Sequence, residues 1–317
     1  MSDKTEEGTT KLEEHEFEEA WTWVWLHDNG YLSSMPADYR RSLRDFMGRL
    51  LNQRLNETAG EPAEPNENPE FRTEPAEPDT LADIHDQSLY LFDKKKLWIP
   101  YAADAPSGAK RGTYPDGYPS GAVVHWTAGH RNGLRSGNQL MRDTGMLYLI
   151  IDEDGNLAQS DPLNRWGYHA GKSYHKPVGN YVHTDYIGIE VQAAGQLRSS
   201  GKNFYPWWDK GRNLAKNRIP KDEVIYCDRR ENIAPGWYHK FTPDQMLALR
   251  KVLCWLYLNN PDVFRLDRIV GHDEVSPGRK TDPGGALVIE ETGKEKALTM
   301  GEFRALVKQD VEMIIGD

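Results

Sequence analysis

One loop-rich segment, Gly271–Gly285, contains a histidine, a lysine and an aspartate close together. His272 and Asp282 are ten positions apart (282 − 272), and imidazole nitrogen and carboxylate oxygen are both good zinc ligands. Lys280 lies two positions before the aspartate and could sit beside a metal. Prolines and glycines exclude a continuous helix, so we expect a shaped loop. The segment indicates a metal site, and a surface loop with a turn cap is the alternative.

Two further polar residues lie in apolar segments that predict buried strands. Ala122–Val124 predicts a short strand, and His125 follows at its end, where a ligand facing a loop-built pocket is usual. A histidine satisfied within a strand–turn corner is the alternative. Tyr186–Gln192 predicts a second strand, and it contains Glu190. A carboxylate among apolar neighbours needs a partner or a function, unless it points to solvent from an edge strand.

Five ordered motifs extend this pattern between about Pro119 and Gly285: VVHWTAG, LIIDEDGNLAQ, RWGYHAGKSY, YIGIEVQ and IVGHDEVSPGRKTDPG. Together they resemble the zinc-dependent N-acetylmuramoyl-L-alanine amidases, a family related to anhydro-muramyl-peptide amidases, phage lysozyme-type amidases and peptidoglycan recognition proteins. The resemblance implies hydrolysis of the amide between N-acetylmuramic acid and L-alanine in peptidoglycan or muropeptides.

Carried over position by position, the resemblance implies one zinc ion per chain, bound by His125, His272 and Asp282. It implies that Glu190 is the catalytic acid/base and that Lys280 stabilises the transition state. Three protein ligands leave a fourth zinc position open for water, as in catalytic sites. Glu190 could then take the water proton and deliver it to the departing amine.

The resemblance also places His169 near the substrate groove, where it could orient substrate or support Glu190. Trp126 and Trp166 could stack on sugar or peptide in that groove. A structural histidine and ordinary core aromatics are the alternatives for these three. The chain departs from the family at two positions. Tyr148 stands where a histidine is frequent, and Leu147 stands where some phage members have a catalytic tyrosine. These departures favour the mechanism based on Glu190.

Composition excludes several other functions. The net charge of −10 argues against nucleic acid as a partner, because such binding depends on basic patches. The sequence has no run of about 20 apolar residues, which argues against membrane insertion. Its acidic start lacks the apolar core of a secretory signal peptide. We therefore expect synthesis in the cytoplasm and action on the cell wall after release or delivery.

The spacing of apolar residues predicts an N-terminal helical hairpin over residues 1–58 and a Pro/Glu-rich linker over 59–80. Two such helices cannot bury both apolar faces alone, so the hairpin packs in cis, dimerises or binds a protein partner. Residues 81–317 are expected to form the amidase domain, with its motifs within 119–285. Alternating strands and helices there predict an α/β fold with a central mixed sheet flanked by helices.

Capping patterns predict two helices in this domain, one after Thr242 and one after Thr299. Between the strand of Glu190 and the first of these helices lies a segment, 195–240, that is longer than a compact family member requires. Its aromatic and basic residues suit a groove wall, or equally a structural flap anchored by Trp207 and Trp208.

Three other functions compete with a lytic amidase. One is a module of the same fold that binds peptidoglycan without hydrolysis, which loss of a metal ligand would indicate. The sequence retains all three ligands and therefore favours the enzyme. The second is a zinc amidase acting on another amide. The third is a cytosolic muropeptide-recycling amidase, whereas the linker and hairpin favour a phage lysin or a delivered effector.

Overall fold

The structure, a computed structural model, describes residues 96–104, 112–129 and 149–315. The chain divides into two units, and these residues belong to the second, Ala63–Asp317. The predicted hairpin (1–58), the predicted linker (59–80) and the departures at positions 147 and 148 lie outside the described residues.

The described strands are β1 (Ala103–Asp104), β2 (Gly121–Trp126), β3 (Leu149–Ile151), β4 (Leu157–Gln159), β5 (Tyr174–His175), β6 (Gly179–Asn180), β7 (Tyr186–Val191), β8 (Gln196–Ser200), β9 (Asn203–Pro206), β10 (Val224–Cys227), β11 (Gly236–His239), β12 (Ile269–Gly271), β13 (Val288–Glu291) and β14 (Lys294–Ala297). The α-helices among the same residues are α1 (Pro243–Asn259), α2 (His272–Val275) and α3 (Met300–Ile315).

A mixed six-stranded sheet forms the centre, in the order β1-β4-β3-β7-β2-β12. Strands β3, β7, β2 and β12 run parallel, and β4 runs antiparallel to β3. Every residue of β2, β3 and β7 is buried. This burial agrees with their apolar and β-branched sequences, because parallel strands covered on both faces need continuous apolar runs. The prediction of a central mixed sheet is confirmed.

Two long helices flank this sheet, and both begin where the capping patterns predict. The Thr242 hydroxyl accepts from Gln245 N (3.0 Å), and the Gln245 side chain accepts from Thr242 N (2.9 Å), which starts α1. Thr299 and Glu302 form the equivalent pair at the start of α3. Helix α1 contacts β3, and α3 contacts both α1 and β12. The Gly271–Gly285 segment is a loop as expected between its ends, which differ from that prediction: α2 forms one helical turn at the start, and a 3-10 turn begins at Gly284.

The segment 195–240 forms its own antiparallel sheet in the order β10-β11-β8-β9. Trp208 lies beside this sheet and donates from Nε1 to the carbonyl of Ala128 (2.5 Å). That bond ties the segment to the turn that follows β2. None of the helices in the described part of the chain is long and apolar enough to cross a membrane.

Candidate active site and metal-binding residues

Strand register brings the predicted site residues to one level of the central sheet. In the pairing of β2 with β7, His125 lies opposite Glu190. In the pairing of β12 with β2, Gly271 lies opposite Val124, so His272 follows at the level of His125. Register partners in neighbouring strands point to the same face of a sheet. The sheet therefore gathers residues that are far apart in the sequence.

The three predicted metal ligands converge in this place. Nδ1 of His125 and Nδ1 of His272 each lie 2.9 Å from Oδ2 of Asp282. One ligand atom from each residue lies within 4.8 Å of the others, and all three residues are buried. Two imidazole nitrogens and one carboxylate oxygen form a donor set that suits zinc.

Electrostatics give two of these candidate ligands, His272 and Asp282, the protonation states that metal binding requires. Burial lowers the pKa of His272 to about 3, so its imidazole is neutral at neutral pH. Burial alone would raise the pKa of Asp282, but the adjacent imidazoles of His272 and His125 hold it well below its ordinary value. Neutral imidazole and ionised carboxylate are the forms that bind a metal.

Glu190 lies beside the ligands in a strand at the middle of the sheet. Its carboxylate Oε1 is 4.0 Å from His125 Nδ1, and the residue is only 8% exposed. The alternative that it points to solvent from an edge strand is wrong, because β7 lies between β3 and β2. Burial raises its pKa to about 7, while His125 and Lys280 oppose that rise. Near neutral pH this carboxyl group can therefore both accept and donate a proton.

Lys280 is partly buried at the edge of the same site. Burial lowers its pKa to about 8, and the nearby carboxylates of Asp282 and Glu190 act in the opposite direction. The amine therefore remains mostly protonated at neutral pH. A partly desolvated cation beside the ligand carboxylate can stabilise negative charge that develops during a reaction.

The three residues predicted for the substrate groove are placed differently from one another. His169 is 2% exposed and contacts His125 through a hydrogen bond, which favours support of the ligands over direct contact with substrate. Trp126 is 9% exposed and packs against the backbone of Gly195, as a core aromatic does. Trp166 is partly buried and packs edge-on against Tyr168 (5.3 Å between ring centroids). A contact with substrate stays a prediction for all three.

Comparison with known proteins agrees with this site. The family model described as N-acetylmuramoyl-L-alanine amidase matches residues 115–285. A comparison with curated protein sequences finds no significant match.

Among solved structures, a selenomethionine derivative of AmpD is 20% identical, with 68% of this chain and 99% of that chain covered and a TM-score of 0.41. AmiD from E. coli, solved with anhydro-N-acetylmuramic acid-L-Ala-D-gamma-Glu-L-Lys, is 18% identical, with 56% of each chain covered and a TM-score of 0.38. The amidase LysC from Clostridium intestinale is 14% identical, with 65% of this chain and 97% of that chain covered and a TM-score of 0.35.

The family match includes every residue of the site, from His125 in β2 to Asp282 after α2. It covers 171 of the 317 residues (285 − 115 + 1), more than half of the sequence. The chain belongs to the N-acetylmuramoyl-L-alanine amidase family.

Proposed function

We propose that this protein hydrolyses the amide between the lactyl group of N-acetylmuramic acid and the L-alanine of the stem peptide. One zinc ion, held by His125, His272 and Asp282, serves the reaction. The observation that carries the proposal is the convergence of three buried donor atoms beside the buried carboxyl group of Glu190. The family supplies the class of bond, and the site supplies the chemistry.

The residues fit a zinc ion. Two imidazoles and a carboxylate face one small volume, in which their ligand atoms lie within 4.8 Å of one another. Such proximity among electron-pair donors is favourable when a cation lies between them. When bound there, zinc supplies Lewis acidity and lowers the pKa of a water molecule to about 7.

Glu190 is the group that moves the proton. As the oxygen of water bonds to the amide carbon, the Glu190 carboxylate takes a proton from that water. As the carbon–nitrogen bond breaks, Glu190 returns the proton to the departing nitrogen of L-alanine. The raised pKa of about 7 suits both steps, because the group then exchanges protons readily at neutral pH.

Lys280 stabilises the negative charge that the reaction creates on the substrate. The carbonyl oxygen of the amide becomes negative when water adds, and a protonated amine nearby stabilises it. Lys280 remains close to Asp282 and Glu190, whose negative charges favour its protonated form. It is thus held as a cation in a partly buried place, where its charge is screened less than at the surface.

Peptidoglycan or soluble muropeptides are the substrates that this chemistry fits. Attack on intact wall by a lysin or a delivered effector, with the predicted N-terminal hairpin contributing a partner contact, is the setting that we favour. The alternatives are recycling of soluble muropeptides in the cytosol and binding of peptidoglycan without hydrolysis.

Incubation of the purified full chain with intact sacculi and, separately, with anhydro-muropeptides tests the proposal. Mass spectrometry should detect stem peptides that carry a free L-alanine amino group, and chelation of zinc should stop their release. Release from sacculi favours the lytic role, and release only from soluble muropeptides favours recycling. Binding to sacculi without release of peptide from either substrate would leave the non-catalytic module as the function.

A further inference from the structure

The two histidine ligands both direct their second ring nitrogen at one short segment. Nε2 of His125 lies 3.0 Å from Nδ1 of His169, and Nε2 of His272 lies 3.1 Å from the carbonyl oxygen of Ala170. We propose that His169 and the Ala170 carbonyl form a positioning element that holds both ligand imidazoles in the Nε2–H tautomer. This inference rests on the proposed zinc site.

The hydrogen bonds determine the tautomers one after the other, beginning with His169. Nε2 of His169 lies 2.9 Å from the carbonyl oxygen of Tyr186, which can only accept, so this nitrogen carries the hydrogen. A neutral imidazole has one N–H, so Nδ1 of His169 is an acceptor. Nε2 of His125 must then donate to it. The remaining nitrogen of His125, Nδ1, keeps its lone pair and faces Asp282.

His272 reaches the same state through the backbone. Its Nε2 donates to Ala170 O, which leaves Nδ1 as the lone pair that faces Asp282. Nη2 of Arg279 also lies 3.2 Å from this Nε2, but it has its own acceptors in the carbonyl oxygens of Ala170 and Lys172, at 2.8 Å each. Arg279 therefore fixes the position of the carbonyl that orients His272.

The central strand provides the space for His169. A Cβ atom at Gly188 would lie 2.5 Å from Cγ of the His169 ring, which is too close for two non-bonded carbon atoms. Gly188 thus lets the imidazole lie directly on β7, two positions before Glu190. In this place His169 is 2% exposed and lies against His125, so its hydrogen bonds are protected from competing water.

Two substitutions at His169 separate the effect of its hydrogen bonds from the effect of its side-chain volume. His169→Gln retains an acceptor and a donor on either side of one carbon, as in imidazole, whereas His169→Leu retains neither. His183→Leu is the matched control, because His183 is also a buried imidazole and its ring centroid lies 6.3 Å from that of His169. Zinc affinity of the full chains is measured by competition with a chelator.

We expect His169→Leu to lose about 10–100-fold in zinc affinity, the usual effect of removing an outer partner of a ligand. His169→Gln and His183→Leu should stay close to the wild type. An equal loss in His183→Leu, or no loss in His169→Leu, would overturn the proposal. A wild type that binds no zinc would instead refute the metal site itself.

A measurement on the wild type keeps the test independent of how the variants fold. Nitrogen-15 NMR of the imidazoles in the zinc-loaded chain reports which ring nitrogen carries hydrogen. We expect Nε2–H at His125, His169 and His272. An Nδ1–H form or an imidazolium at His169 is incompatible with the positioning element.

Discussion

We expect replacement of Glu190 by glutamine to remove the proposed proton transfer and to change little else. Glutamine has almost the same volume, and it keeps an oxygen near the 4.0 Å position beside His125. Oε2 of Glu190 has no hydrogen-bond partner among the described residues, so no protein contact is lost there. The three ligands remain in place. We therefore expect zinc content and melting temperature close to those of the wild type.

The expected effect on rate is large. General acid–base catalysis contributes about 10²–10⁴-fold, and a factor of ten corresponds to about 1.4 kcal/mol of activation free energy. The lost stabilisation of the transition state is therefore about 3–5 kcal/mol. Since we propose that Glu190 serves both proton transfers, we expect a value in the upper half of that range. The loss should fall on kcat, because the amide group cannot donate a proton to the leaving nitrogen.

Release of stem peptide from a soluble muropeptide, followed over a range of substrate concentrations, measures kcat and KM separately. Glu223→Gln is the matched control, because that glutamate also lies beside a histidine, with 2.9 Å between Glu223 Oε2 and His239 Nε2, but outside the site. Its kcat should match the wild type. If Glu190→Gln binds zinc and keeps more than a tenth of the wild-type kcat, Glu190 is not the acid/base.

Four further predictions concern the metal, the cation, the segment 195–240 and the N-terminal part. His272→Ala should bind no stoichiometric zinc by metal analysis and should be inactive; zinc retained at one ion per chain would contradict the ligand assignment. Lys280→Ala should lose about 10²–10³-fold in kcat with zinc retained, as expected when one oxyanion donor is removed, and near-normal turnover would exclude that role. Burial would raise the pKa of Asp209, but hydrogen bonds from Asn217 and backbone amides lower it. The contribution of Asp209 to stability is therefore present above its unfolded pKa of about 4, and it is lost as pH falls through the folded pKa. The melting temperature of Asp209→Asn should thus lie below that of the wild type at pH 7, and the gap should close below about pH 4; a gap independent of pH would contradict this. A fragment lacking residues 1–80 should still fold and cleave soluble muropeptides, and an insoluble fragment would show that the N-terminal part is required.

Local sequence signals predict much of the fold because each depends on near neighbours. The β2 and β7 strands follow from short apolar runs, and the structure places both within two residues of the predicted ends. The start of α1 follows from Thr242 and Gln245, whose side chains and backbones satisfy one another within a single turn. The predicted ligands converge as expected from the motifs that contain them.

Other features depend on pairings that no local signal contains. Glu190 lies in the middle of the sheet rather than at its edge because β7 pairs with β2 and β3, and strand order cannot be derived from one strand's sequence. The segment 195–240 forms a second sheet through the same kind of long-range pairing. The partnership of His169 with His125 joins residues 44 positions apart in the sequence. A histidine in a loop motif gives no indication of such a partner.

Gly188 is a local sequence signal for this arrangement. Glycine weakens the interior of a strand, since it has no side chain to pack and loses more backbone entropy than other residues. Its presence between Ile187 and Ile189 is therefore unfavourable unless another group must approach the backbone there. The structure shows that the group is the His169 imidazole, which a Cβ at this position would exclude. Like His125 and Glu190 in their apolar strands, Gly188 breaks a local rule of the sheet, and all three exceptions meet at the same site.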